Sequence, residues 1–440
     1  MEATLDRVDN AKWTRPHWSV FASLVVGFFM WGVIASLAPL FYPSVKATWF
    51  LILPILAQVA GDLGLPRLSD LKLGRKTVFF LTLLLYGMGS VLITISVLFL
   101  ASNLLVIVIG IVLAYAGVEG EIPTGLSYAA EIFPLRMREK MLVLISNFDN
   151  LGAMVAGLIG FITYSFSDSL TAELEFLGIF ALVLLIVTLG IRYTLPESVR
   201  WLASRGENER AEAEARKFTT LEKEIAPVPS VSGQKTIGLA PRLALLITMG
   251  ISQYLTYGLM TYIVADYYFQ GNAINFIVVV ANSGAFVAGF IAVCIMGRLK
   301  VRSFSLFAYW GGFLTMIPIL LVAHQLAVGS DLPLFYLLLF LSVAFSEFAW
   351  AVREILEPIL MPSKSRAFLI GVVRLGPMLS YAASIYFTAS YSFTQFIEYN
   401  MVLWIVGGLA AIFWFAKGYN VEMLNLERTS LSEVPLTKNA

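Results

Sequence analysis

The chain of 440 residues is 58% hydrophobic and 13% charged, with a mean hydropathy of +0.80; a water-soluble fold would leave far too much of that apolar surface exposed. A net charge of +1, carried on short scattered segments, gives no basis for a nucleic-acid partner. The single cysteine, Cys294, excludes a disulfide or a cysteine-built metal framework.

Twelve apolar stretches begin near residues 18, 48, 77, 104, 141, 175, 241, 276, 303, 332, 367 and 399. A bilayer core about 30 Å thick needs about 20 apolar residues per helix, so each stretch is predicted to span the membrane as an α-helix. The first is too long for the apolar part of a signal peptide, and no small-residue cleavage pattern follows it, so it reads as span 1. Of the 30 Lys and Arg residues, 26 fall in alternate polar segments, and only Lys46 lies in a segment of the other parity. Because cations are retained on the cytoplasmic side during insertion, both termini are expected inside, in the cell's plasma membrane.

Ionisable groups at mid-depth are costly and mark pathways or pairs. Span 1 contains none that is acidic. On span 4, Glu119 and Glu121 follow the apolar run 104–118 and sit at or just inside the midplane; two residues apart is about 200°, so one is expected to face a cavity and the other a neighbouring helix. Asp149 on span 5 is flanked by Asn147 and Asn150. Span 7 carries Gln253, Tyr254, Tyr257 and Tyr262, span 10 carries Glu347, Trp350 and Arg353, and span 11 carries Arg374. A desolvated carboxylate favours its neutral form and can take up and release a proton as access alternates, which makes Glu119, Glu121, Asp149 and Glu347 proton-coupling candidates. A static pair with Arg374 or Arg353 is the competing reading for any one of them. Gln253, Tyr254, Tyr257, Tyr262, Asn150 and Trp350 are candidate solute contacts through amides, hydroxyls and aromatic faces, with ordinary helix packing as the alternative. Arg374 could hold a carboxylate, which would favour an organic acid.

The longest polar stretch divides the spans six and six. The expected organisation is a first half 1–195, a cytoplasmic linker 196–240, a second half 241–418 and a tail 419–440. Glu212 with Arg216 and Arg210 with Glu214 are i,i+4 pairs that predict a helix early in the linker, and the Pro and Gly residues at 226–233 break regular structure after it. A weak repeat relates the halves. Gly74-Arg75 recurs as Gly297-Arg298, Pro134 and Arg138 recur as Pro362 and Arg366, and the small residues Gly152, Ala156 and Gly160 recur as Gly376, Ser380 and Ser384.

Three loop segments carry a family resemblance. Residues 70–76, from Asp70 through Gly74 and Arg75 to Lys76, are similar to a D-x-x-G-R-[RK] loop with one extra residue before the glycine. Glu131, Pro134 and Arg138 match E-x-x-P-x-x-x-R, and residues 196–202, from Pro196 through Glu197 and Arg200 to Leu202, are one residue from P-E-S-P-R-W-L. In these the chain resembles the major facilitator superfamily, and within it the sugar porters and related metabolite:proton symporters. The resemblance implies an all-α membrane protein of twelve helices in two pseudo-repeated halves, with a site between them near the midplane. An Asp that proton-coupled sugar porters commonly carry in span 1 has no counterpart here. Asp70, Arg75, Glu131, Arg138, Glu197, Arg200, Arg366 and either Glu354 or Glu357 read as a cytoplasmic clasp of Arg and carboxylate pairs.

The function expected is secondary-active transport by alternating access, proton-coupled uptake of a sugar or other small polar solute, by a monomer without cofactor or metal. Drug efflux, and a non-transporting nutrient sensor on the same fold, are the alternatives. His17 and His324 lie far apart and no catalytic motif is present, so an enzyme is not expected.

Overall fold

The computed structural model describes residues 1–167, 170–218, 237–327, 331–422 and 426. The breakers at 226–233 and the cations Lys223, Lys235, Arg428 and Lys438 lie outside these. The described chain is helical, since lipid leaves no solvent for an unpaired backbone and only helices or closed barrels satisfy it there. A short helix α1 (Glu2–Asp9) precedes α2 (Arg15–Val45), α3 (Thr48–Leu68), α4 (Gly74–Phe99), α5 (Leu104–Ile132), α6 (Leu135–Ser146), α7 (Phe148–Ser167) and α8 (Leu170–Arg192). Two short helices, α9 (Val199–Ser204) and α10 (Asn208–Phe218), lead on to α11 (Leu239–Gly258) and α12 (Val264–Tyr268). The chain then continues through α13 (Ala273–Ile295), α14 (Val301–Ala327), α15 (Leu332–Leu360), α16 (Arg366–Thr388) and α17 (Phe393–Lys417).

Eleven helical runs among the described residues are long and apolar enough to cross a membrane, and one of them, Thr48–Phe99, is 52 residues. A straight helix of that length would reach roughly 78 Å. Instead the chain doubles back at Gly74, whose φ of 79° is open to glycine at little cost, and α3 and α4 both pack along α5. That run therefore supplies two spans, making twelve. The turn before Gly74, Ser69–Leu73, is π-helical, which is how a helix absorbs one inserted residue; the extra residue in the 70–76 loop is accommodated there.

The repeat is structural. Gly297 has a φ of 80°, matching Gly74. Gly152 lets α7 approach the backbone of α2 at Phe29, and Gly376 lets α16 approach Ile247 on α11, so spans 5 and 1 pack as spans 11 and 7 do. Across the halves, α3 packs on α16 and α7 on α13. Spans 1, 4, 7 and 10, which are α2, α5, α11 with α12, and α15, face one another around the centre.

Two spans are broken at mid-depth. Span 5 is interrupted at Asn147 between α6 and α7, where the Asn147 amide donates to the Phe286 carbonyl across the halves at 3.0 Å. Span 7 passes through a π-helical turn, Leu259–Ile263, between α11 and α12. The helix expected early in the linker is α10, but its charges pair differently from the i,i+4 expectation. Glu212 accepts from Arg7 at 2.7 Å and Thr4 at 2.6 Å on α1, Lys217 bonds Glu214 at 2.7 Å, and Arg210 meets Glu207. Packing against α1 gives the Glu212 carboxylate its hydrogen bonds there.

Candidate functional site

Between the halves lies a cavity lined by polar and aromatic side chains. From the first half it is lined by Trp31, Gln58, Tyr115, Asp149 and Asn150, and from the second by Gln253, Tyr254, Tyr257, Tyr262, Glu347, Trp350 and Tyr381. The two breaks shape it. The interruption at Asn147 starts a new helix whose first turn presents Asp149 and Asn150, and the π turn carries Tyr262 to within 3.2 Å of the Ser36 hydroxyl on α2. Tyr257 donates to Asn282 at 2.7 Å, which fixes its ring edge to face with Tyr262. The cavity runs past Pro39, Leu51 and Ile385 away from the face that holds the chain's N-terminus, here called the terminal face.

One wall of the cavity is acidic. Asp149 accepts the Asn150 backbone N–H, and the Asn150 amide donates across the halves to Glu347 Oε2 at 2.9 Å, while Glu347 Oε1 has no partner. Among the described residues no cation pairs with either carboxylate. The floor is arranged otherwise. Arg374 on α16 donates to Glu119 on α5, its Nε at 3.1 Å, and lies 3.4 Å from Asp62 on α3. Glu119 also accepts from Trp31 Nε1 at 2.7 Å and Gln58 Nε2 at 3.0 Å. The Arg374 guanidinium sits 5.4 and 5.5 Å from the Trp31 and Trp350 rings, cation–π distances that roof it from the cavity. Arg353 is likewise engaged, by Gln253 Oε1 at 2.6 Å and Glu357 at 2.6 Å, below Trp350.

Two sequence candidates are corrected by this geometry. Glu121 points from α5 into its own half, where Arg192 and Thr82 hold it and Arg192 lies over the Phe79 and Tyr86 rings; it does not reach the cavity. Arg374 is not open to a solute, because Glu119, Asp62 and two tryptophans already surround it. Asp62, Trp31 and Gln58 were not foreseen. Asp62 alone carried a signal, a single acid within the apolar stretch of span 2. A further acid, half-buried Asp266 on α12, has both carboxylate oxygens out of solvent and, among the described residues, without a hydrogen-bond partner; it too was passed over in the sequence.

The clasp on the terminal face divides in two. Contacts that cross the halves are few: Arg366 donates to Glu131 at 3.0 Å, and the Phe368 N–H donates to Asp70 at 2.8 Å. Arg75 ties both acids together from the first half, at 2.6 Å to Asp70 and 2.8 Å to Glu131. The other members join the first half to the start of the linker. Glu197 accepts the Arg75 and Lys76 backbone N–H groups at 2.9 and 3.3 Å, capping α4, and burial pushes its pKa up despite those bonds. Arg138 and Arg200 both bind Asp9 on α1, and Arg200 also bonds the Glu131 carbonyl at 2.7 Å. Burial alone would raise the Asp9 pKa, but the two guanidiniums outweigh it and hold the carboxyl below the usual aspartate value. Neither acid of α15 expected in the clasp joins it: Glu357 pairs with Arg353 one turn away on the same helix, and Glu354 lies buried beside Ser146 of α6.

Twelve spans in two repeated halves, bonded at one face and enclosing a polar aromatic cavity, define a transporter of the major facilitator fold. The chain belongs to the family of sugar (and other) transporters, whose model matches residues 8–417; it is a membrane transporter and not an enzyme. The niacin transporter NiaP of Acinetobacter baylyi is 26% identical over 168 residues, which are 38% of this chain and 35% of that protein, so the match spans about a third of that relative's length. The proton:xylose symporter XylE bound to 6-bromo-6-deoxy-D-glucose superposes with a TM-score of 0.76 at 16% identity, covering 94% of this chain and 98% of XylE. XylE from E. coli in a partially occluded inward-open conformation gives 0.70 at 16% identity, over 92% and 98%. The E. coli fucose:proton symporter FucP gives 0.55 at 14% identity, over 89% and 98%. These likenesses show the fold.

Proposed function

We propose that the chain carries out proton-coupled uptake of a sugar or closely related neutral polar solute, by alternating access, as a monomer in the plasma membrane. The observation that carries this reading is the cavity's acidic wall. Asp149 and Glu347 face the solute space without a cation, bridged across the halves by Asn150, so a proton is the charge that can neutralise them. Trp31, Trp350 and the tyrosines offer faces on which a sugar ring stacks, and Gln58, Gln253 and Asn150 offer amides to its hydroxyls. With Arg374 engaged by Glu119 and Asp62, an organic acid loses its best anchor. The moving bodies are the halves 1–195 and 241–418, joined by the linker 196–240. In keeping with the cation bias of the loops, the terminal face is cytoplasmic, with both termini inside, and Asp70, Glu131 and Arg366 are the links that part when the cavity opens inward.

The test is uptake of a panel of monosaccharides into proteoliposomes with and without an imposed pH gradient, in wild type, Asp149→Asn and Glu347→Gln. Accumulation driven by the gradient in wild type, reduced to equilibrative exchange in the variants, supports the reading. Accumulation unchanged in both variants would overturn it. The same acids in an aromatic box also suit an organic cation, so a lipophilic ammonium exchanged for protons, with no sugar moved, would make the chain an efflux antiporter instead.

A further inference from the structure

Away from the central cavity, two surface features meet at the terminal end of α13. A cleft between the halves brings Arg136 and Lys140 of α6 together with Arg298 and Lys300 of the turn after α13. Lys140 reaches across the halves; its Cε lies 3.5 Å from where a Cβ would stand on Gly297. Of the cleft's two carboxylates, Glu139 and Glu422, the second accepts the Val301 N–H at 2.7 Å and caps α14. Adjoining the cleft, and sharing Arg298 and Leu299 with it, is an apolar groove formed by Phe290, Ile291, Cys294 and Ile295. Phe290, Ile291 and Leu299 are exposed there, on the surface that lipid covers.

We infer that this pair of features is a binding site for an anionic phospholipid, with the phosphate and headgroup in the cationic cleft and an acyl chain along the α13 groove. The charge sign selects the headgroup, and the continuity of groove and cleft through Arg298 selects a lipid over a free phosphate ion. A long Arg stem laid on apolar surface with its guanidinium in the headgroup layer is the arrangement such a boundary favours. Because two cations come from each half, the bound headgroup ties α6 to the 297–300 turn and stabilises the arrangement closed at the terminal face.

The chain carries its own reporter, since Cys294 is its single cysteine, lines the groove and is exposed. A fluorophore attached there is reconstituted in phosphatidylcholine vesicles containing either dibrominated phosphatidylglycerol or dibrominated phosphatidylcholine, and quenching is followed against mole fraction. The brominated anionic lipid is expected to quench at lower mole fraction, with its relative affinity falling roughly five-fold for each cation neutralised near the anionic surface, so that Arg298→Gln weakens the preference and Arg136→Gln with Lys140→Gln, Arg298→Gln and Lys300→Gln abolishes it. Should the quadruple variant not fold, Arg298→Gln and wild type in high salt, which screens the same charges, give the same readout. Coincident quenching curves for the two lipids in wild type, or a preference that survives Arg298→Gln and high salt unchanged, would overturn the inference. An equal loss of quenching when inorganic phosphate is added would also overturn it, by making the cleft a free-anion site.

Discussion

The floor and the wall of the cavity each hold two carboxylates, yet they are built to opposite rules. Glu119 and Asp62 share Arg374, and two tryptophans cover its guanidinium. Asp149 and Glu347 are joined only through Asn150, whose backbone N–H bonds the first and whose side-chain amide bonds the second. A buried charge with a partner is a link, since separating the pair leaves an isolated ion in a medium of low dielectric; a buried carboxylate without one is left to a proton or a ligand. The contrast separates the part of the site that joins the halves from the part proposed to carry charge.

The strongest way to break this comparison is to remove the shared cation. Arg374→Ala strands two buried carboxylates and is expected to lower stability by about 3–5 kcal/mol, read as a fall in the thermal midpoint in detergent. Combining it with Glu119→Gln and Asp62→Asn should recover most of that loss. If Arg374→Ala melts like wild type, the floor is no structural link. At the wall the outcome should invert: Asp149→Asn and Glu347→Gln are expected to leave the midpoint within about 1 kcal/mol of wild type, as neutralising an unpaired buried charge removes a cost, while concentrative uptake is lost.

The terminal face sharpens the same distinction, now between pairs that cross the halves and pairs that do not. Arg366→Gln breaks the crossing bond to Glu131, a charge-assisted link of about 1.5–3 kcal/mol, and is expected to raise the opening of that face. Maleimide labelling of Ser127→Cys, beside Glu131, in a Cys294→Ser background should then speed up roughly ten-fold, as about 1.4 kcal/mol implies. Unchanged labelling would show that the bond does not gate.

The smallest effect is expected at Asp9, whose arginine partners, Arg138 of the first half and Arg200 at the start of the linker, both lie outside the second half. With its folded pKa below the unfolded value, its contribution is present above about pH 4 and is lost as pH falls through the folded pKa. Asp9→Asn should therefore flatten the acid limb of a stability profile without altering the labelling of Ser127→Cys. A parallel change in labelling would place Asp9 among the crossing links.

Much of this site could be read along the chain, and the limits follow a pattern. Asn150, Gln253, Tyr254, Tyr257, Tyr262, Trp350, Asp149 and Glu347 all line the cavity, because polar or aromatic groups at mid-depth on a lipid-embedded helix are held away from lipid. Glu119 and Glu121 had to face apart, but their spacing could not say which would meet Arg374 and which Arg192. The clasp was overread, since any Arg and carboxylate at one membrane face look like partners: Glu197 caps a helix instead, and Glu357 folds back to Arg353 on its own helix. The breaks at Asn147 and at Leu259–Ile263 left no mark in composition, for neither contains proline or needs it.

Hydropathy alone determined the number of spans, and the distribution of Lys and Arg alone gave their expected orientation, because a bilayer imposes one length and one secondary structure on any segment that crosses it. The pairing of charges was decided only in three dimensions. A helix fixes each side chain's direction relative to its own axis and no other, so whether an acid meets an arginine, an amide or open space depends on how the neighbouring helices are rotated and where they break.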